Sequence, residues 1–75
     1  MVQMSNMQQG QEGRIVNIDP DMRAVSRMTA LGFVPGANVK VVGVAPLGDP
    51  IIVEVGMNQV SLRREDASAL GVECN

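Results

Sequence analysis

Between Arg14 and Ile18 the chain reads Arg-Ile-Val-Asn-Ile, a short β-branched run bounded by Gly13 and by Asp19-Pro20, and the pattern predicts a first strand. The period then changes. At about 100° per residue, Met22, Ala24, Val25, Met28 and Leu31 fall on one half of a wheel and Arg23, Ser26 and Arg27 on the other. An amphipathic helix over about 20–31 is therefore expected, its stripe turned to the core. Asp19 suits the N-cap, Pro20 the first helical position, and Asp21 the positive end of the helix dipole. Gly32, just past the last apolar residue, marks a helix stop with positive φ. Pro35 and Gly36 fit the two central positions of a type II turn.

The longest β run follows, from Asn38 to Ala45, with Val39, Val41 and Gly43 on one face and Lys40, Val42 and Val44 on the other. Valine on both faces predicts a strand covered on both sides. Pro46, Gly48 and Pro50 interrupt the β pattern within five residues, and the proline after Asp49 pushes it extended, so this is a shaped loop. Ile51 to Val55 reads as another strand, Gly56-Met57-Asn58 as a tight hairpin connection, and Gln59 to Arg63 as the antiparallel return. A short helical turn near 64–70, stopped by Gly71, leads to a closing strand at Val72-Glu73-Cys74.

The first eleven residues are polar and Gln-rich apart from Met1, Val2, Met4 and Met7. They divide the chain into a flexible segment, 1–8, and a domain, 9–75; if the segment is ordered, Met4 and Met7 are the side chains expected to pack over the core. The whole predicts a mainly β fold: a small five-stranded barrel with one early helix, closed because closure removes exposed edges.

Composition narrows the function. A chain of 75 residues makes one domain, and at this size only about 60% of the unfolded surface is buried. The net charge of −2 and pI near 4.8 give no general attraction to nucleic acid or anionic lipid. Phe33 is the single aromatic, so stacking platforms for bases are absent. No apolar run approaches the ~20 residues that cross a bilayer, and no secretory leader is visible. One cysteine excludes an internal disulfide and agrees with a reducing compartment. A cytoplasmic protein without direct membrane insertion, as monomer or weak homodimer, is expected.

Catalysis needs positioned groups of suitable pKa, and the inventory is thin. There is no histidine, Cys74 has no base visible beside it, the acids form no spaced pair, and the glycines lack the phosphate-loop spacing. An enzyme is rejected. Cys74 and Glu73 are the one candidate pair for a divalent transition metal, but one thiolate and one carboxylate do not make a closed site, so no cofactor is assigned. What remains is a contact surface. Leu47, between Pro46 and Gly48 at a loop tip, either plugs a barrel end or faces a partner. Leu47, Phe33, Pro35, Pro46, Gly48 and Asp49 are the candidate partner-binding residues, shaped by turns at Gly32, Gly36 and Pro50.

Four segments in order carry a resemblance: Gly10-Gln11-Glu12-Gly13-Arg14-Ile15-Val16, Leu31-Gly32-Phe33-Val34-Pro35-Gly36, Ala45-Pro46-Leu47-Gly48-Asp49-Pro50 and Val60-Ser61-Leu62-Arg63-Arg64-Glu65-Asp66-Ala67. Together they resemble the FeoA family of ferrous iron uptake. The resemblance runs from about Met7 to Cys74; Met4 and Met7 stand where leucines are more usual. It implies an SH3-like barrel acting with FeoB, the membrane ferrous iron transporter with a cytosolic G domain. A related domain ends the DtxR-type iron-dependent repressors, and the alternative it implies is a metal-responsive module binding Fe²⁺ or Zn²⁺. The repressors' DNA-binding and dimerisation domains have no counterpart in this sequence, so the stand-alone uptake protein is the better match.

Overall fold

The computed structural model describes residues 1–20 and 25–75. Along the chain these form β1 (Val2–Gln3), a 3-10 turn (Met4–Asn6), β2 (Glu12–Ile18), α1 (Val25–Ala30), β3 (Asn38–Val44), β4 (Ile51–Val55), β5 (Asn58–Leu62), α2 (Arg64–Ala67) and β6 (Leu70–Cys74). The strands pair antiparallel in the order β1-β6-β2-β3-β4-β5.

Alternation along each strand puts Ile15, Val39, Val41, Ile51, Val53, Val55, Leu62, Leu70 and Val72 on one concave face. Met28 and Phe33 fill it from one side and Met4 and Met7 from another, giving a single core with no buried polar or charged side chain among the described residues. Bulges in β2 between Ile15 and Asn17 and in β3 between Val41 and Gly43 bend the sheet around that core. The second bulge also changes the expected face of Val44: it pairs with the buried Ile51 and packs against the core, whereas Val42, expected on the same face, is half-buried outside that cluster. Gly13 lies where β2 pairs with both β6 and β3, and a Cβ there would sit 2.4 Å from the Glu73 carbonyl oxygen, so only glycine permits the approach.

The helix stop follows the expected chemistry. Gly32 has φ +104°, its N–H bonds the Thr29 carbonyl at 3.1 Å, and the Phe33 N–H bonds the Met28 carbonyl at 3.0 Å, a Schellman closure with Phe33 and Met28 both in the core. The type II turn forms as expected, with Gly36 at φ +92° and Ala37 N–H on the Val34 carbonyl. The residues expected to open the helix, Asp21 and Met22 to Ala24, lie outside the described residues.

Several expectations need correction. Among the described residues there are six strands, not five: Met4 and Met7 are fully buried, as expected of an ordered segment, and Val2–Gln3 adds β1, paired with β6 through Val2–Val72 and Gln3–Gly71. Sparse apolar residues in a polar segment hid this. α1 ends at Ala30 rather than Leu31, which is the capping residue and is exposed. Gly71 does not stop a helix; it lies in β6, which begins at Leu70. The barrel is not closed by hydrogen bonds, since β1 and β5 end the sheet. Instead the 3-10 turn packs on α2 across the gap, and Arg64 joins the two sides.

Candidate functional site

The β3–β4 loop is built as a turn on a fixed base. Gly48 N–H donates to the Ala45 carbonyl at 2.8 Å with Gly48 at φ +89°, and Ala45 N–H donates to the Pro50 carbonyl at 3.0 Å. Pro46 and Leu47 are therefore the two outer residues of a closed turn, and the Asp49-Pro50 peptide is cis. A side chain at such a corner has no path inward: Leu47 is 97% exposed. Of the two readings of Leu47, the plug is excluded.

The base is held by Arg64, the first residue of α2. The Arg64 N–H donates to Asp49 Oδ1 at 2.9 Å, the Arg64 Nε donates to the Gly48 carbonyl, and a terminal guanidinium nitrogen of Arg64 donates to the Ser5 carbonyl. Asp49 Oδ2 also meets the Arg63 guanidinium at 3.7 Å, a pair largely open to water and worth little by itself. The half-buried Arg64 bonds matter more, because charge-assisted bonds away from solvent are about twice as strong as neutral ones. One arginine thus spans from the N-terminal turn to the loop carrying Leu47. Arg27 of α1 pairs with Asp66 of α2 at 3.1 Å and braces the same region from behind.

The structure does not bring all the expected contact residues together. Phe33 is fully buried, drawn in by the Schellman closure, and cannot face a partner. Pro35 is exposed, but its turn precedes β3 whereas the Leu47 turn follows it, so seven strand residues, about 20 Å, separate them. Pro46 is exposed beside Leu47, Gly48 and Asp49 are half-buried supports, and Pro50 is half-buried at the foot. Arg64 was missed as a support because a helix-turn arginine looks solvated in sequence. Met57 was also missed: it is fully exposed at the β4–β5 hairpin, after Gly56 at φ +58°. An apolar residue at the second corner of a glycine-led two-residue turn is a legible signal for such exposure.

The ionisable groups are spread out. A shallow depression of about 460 Å³ is lined by Glu12, Lys40 and Glu54, cross-strand neighbours on the outer face. Glu73 lies 3.7 Å from the Met1 ammonium, and Cys74 is half-buried opposite Gly13. Among the described residues no group of three or more His, Cys, Asp or Glu could hold a metal ion, and no helix is long and apolar enough to cross a membrane.

The FeoA domain model matches residues 2–74. The chain belongs to the FeoA family. A Porphyromonas gingivalis protein described as a fusion of Fe(2+) transport protein A with the Fe(2+) transporter FeoB is 36% identical over 72 residues; the match covers 96% of this chain but 8% of that protein. The crystal structure of an iron uptake regulatory protein, FeoA, is 31% identical, with a TM-score of 0.85 over 99% of this chain and 96% of that one. Stenotrophomonas maltophilia FeoA complexed with zinc, described as an SH3 domain protein, is 25% identical with a TM-score of 0.84, over 97% and 91% of the two chains. A manganese-dependent transcriptional repressor at 21% identity and TM-score 0.81 shares the fold alone, over 93% of this chain and 39% of that one. The FeoA assignment makes the fold an SH3-like one.

Proposed function

We propose that this FeoA-family chain is a non-enzymatic accessory protein of ferrous iron uptake that docks on the cytosolic part of an FeoB-type transporter through Leu47 and tunes its activity. The observation that carries the reading is a bare leucine on a turn whose base is pinned by Arg64 and Asp49. A rigid apolar tip loses little conformational freedom on docking, which is what favours affinity from a small area. The fused relative supports the partner, since joining two modules in one chain raises their effective concentration for each other. Such a partner places the chain at the cytoplasmic side of the membrane.

Leu47→Asp tests this. Binding to the transporter's cytosolic part in a calorimetric titration should fall about tenfold or more, as for a central apolar anchor, with the denaturation midpoint unchanged. Equal affinity for the variant sinks the reading.

The zinc complex of the Stenotrophomonas relative favours a second reading, a metal-responsive module using Cys74 and Glu73. Adjacent strand residues point to opposite faces, so within one chain these two side chains diverge, and a site would need a second chain. A Zn²⁺ or Fe²⁺ titration that leaves the amide shifts of residues 73 and 74 in place removes it.

A further inference from the structure

The two edges of the sheet are protected very differently. β1 is two residues long, and a strand that short offers little to pair with. β5 has five residues, Asn58-Gln59-Val60-Ser61-Leu62, without a charge, proline or bulge to deter pairing.

Its free groups can be counted from the hairpin. A two-residue connection makes Val55 and Asn58 a hydrogen-bonded pair, so alternation makes Val53–Val60 and Ile51–Leu62 bonded pairs as well. Gln59 and Ser61, opposite Glu54 and Ile52, then turn their N–H and C=O groups away from β4. Among the described residues neither forms a backbone bond elsewhere, and both are exposed.

We infer that the β5 edge pairs with the β5 edge of a second copy of this chain, antiparallel about a two-fold axis at Val60. Three observations single out this occupant. In that register Gln59 meets Ser61 of the second copy and Ser61 meets its Gln59, so the outward groups are mutually satisfied in four bonds. The strand is neutral, so two copies of a chain of net charge −2 bring no like charges together along it. The two bare apolar side chains, Met57 and Leu47, lie beyond opposite ends of β5. The axis therefore carries Met57 opposite Arg63 of the second copy, beside the loop that Arg63 and Arg64 hold and that bears Leu47. A four-bond contact of this size belongs to the small, transient class of interface.

Light scattering and amide chemical shifts between about 20 μM and about 1 mM, a range suited to a transient contact, test the proposal. The wild-type mass should rise from 8.0 kDa towards twice that value, with shifts concentrated at 59–61. Gln59→Pro removes only an outward N–H, which an edge strand tolerates. Ser61→Lys adds charge to the same edge. Both should remain at 8.0 kDa over the range with the wild-type denaturation midpoint, and Met57→Lys should weaken association about tenfold. A wild-type chain that stays monomeric throughout, whether or not these amides respond to a transporter fragment, overturns the inference. So do folded variants that associate like wild type. Loss of transporter binding in Leu47→Asp leaves it untouched, so the two proposals fail separately.

Discussion

Two turns bracket β3, and each combines a proline with a glycine at positive φ: Pro35-Gly36 before the strand and Pro46 with Gly48 after it. Each sits beside one large apolar residue, Phe33 or Leu47, and the fates of the two are opposite. Phe33 is at 0% exposure and Leu47 at 97%. Turn composition therefore does not decide burial. What decides it is the direction in which the neighbouring backbone bonds pull. The Phe33 N–H is tied back to Met28 at the end of α1, which folds the ring under the helix, while Leu47 occupies an outer corner whose base is bonded away from it.

The largest expected effect breaks the buried side. Phe33→Ala should cost about 3–5 kcal/mol in denaturant unfolding, the range for deleting a core aromatic, and any loss of transporter binding should track the unfolded fraction. A cost under about 1 kcal/mol would place Phe33 outside the core. Next, Arg64→Ala should cost about 1.5–3 kcal/mol by leaving the Gly48 and Ser5 carbonyls without a charged donor. Amide exchange should then quicken in residues 45–50 and 4–7 together; acceleration in only one of them would refute the bridging role. Gly32→Val should cost about 1–2 kcal/mol from the left-handed backbone, because the new Cβ meets Val55 at an ordinary 3.6 Å and adds no clash. The smallest effect sharpens the exposed side: Leu47→Asp should leave stability within about 0.5 kcal/mol of wild type.

Much of this architecture was legible in the sequence, and the reasons are local. β3 to β5 announce themselves by valine and isoleucine runs with glycine and proline punctuation, and the Gly32 and Gly36 geometries follow from residues that tolerate few alternatives. The misses that matter most for the site are non-local. β1 exists because β6 offers it an edge, which Val2-Gln3 cannot show on its own. Placing Phe33, Pro35 and Leu47 on one surface failed because a seven-residue strand separates the turns in space, however close they lie in sequence. Leu47 is a loop-tip residue in sequence and in structure, but its two orientations are separated only by the closed Ala45–Gly48 turn that leaves it exposed. The resemblance to FeoA fixed the family from four motifs without settling which of their residues point outward.

The Arg64 bond to Ser5 makes deletion mapping hazardous for this molecule. Trimming the chain to start at Gln8 discards Met4 and Met7 from the hydrophobic interior and, in the same stroke, removes one of the two main-chain carbonyls that hold the guanidinium under the Leu47 corner. A shortened protein that failed the proposed transporter-binding test would look as though its first residues made the contact, although the same deletion also removes a support of the Leu47 corner.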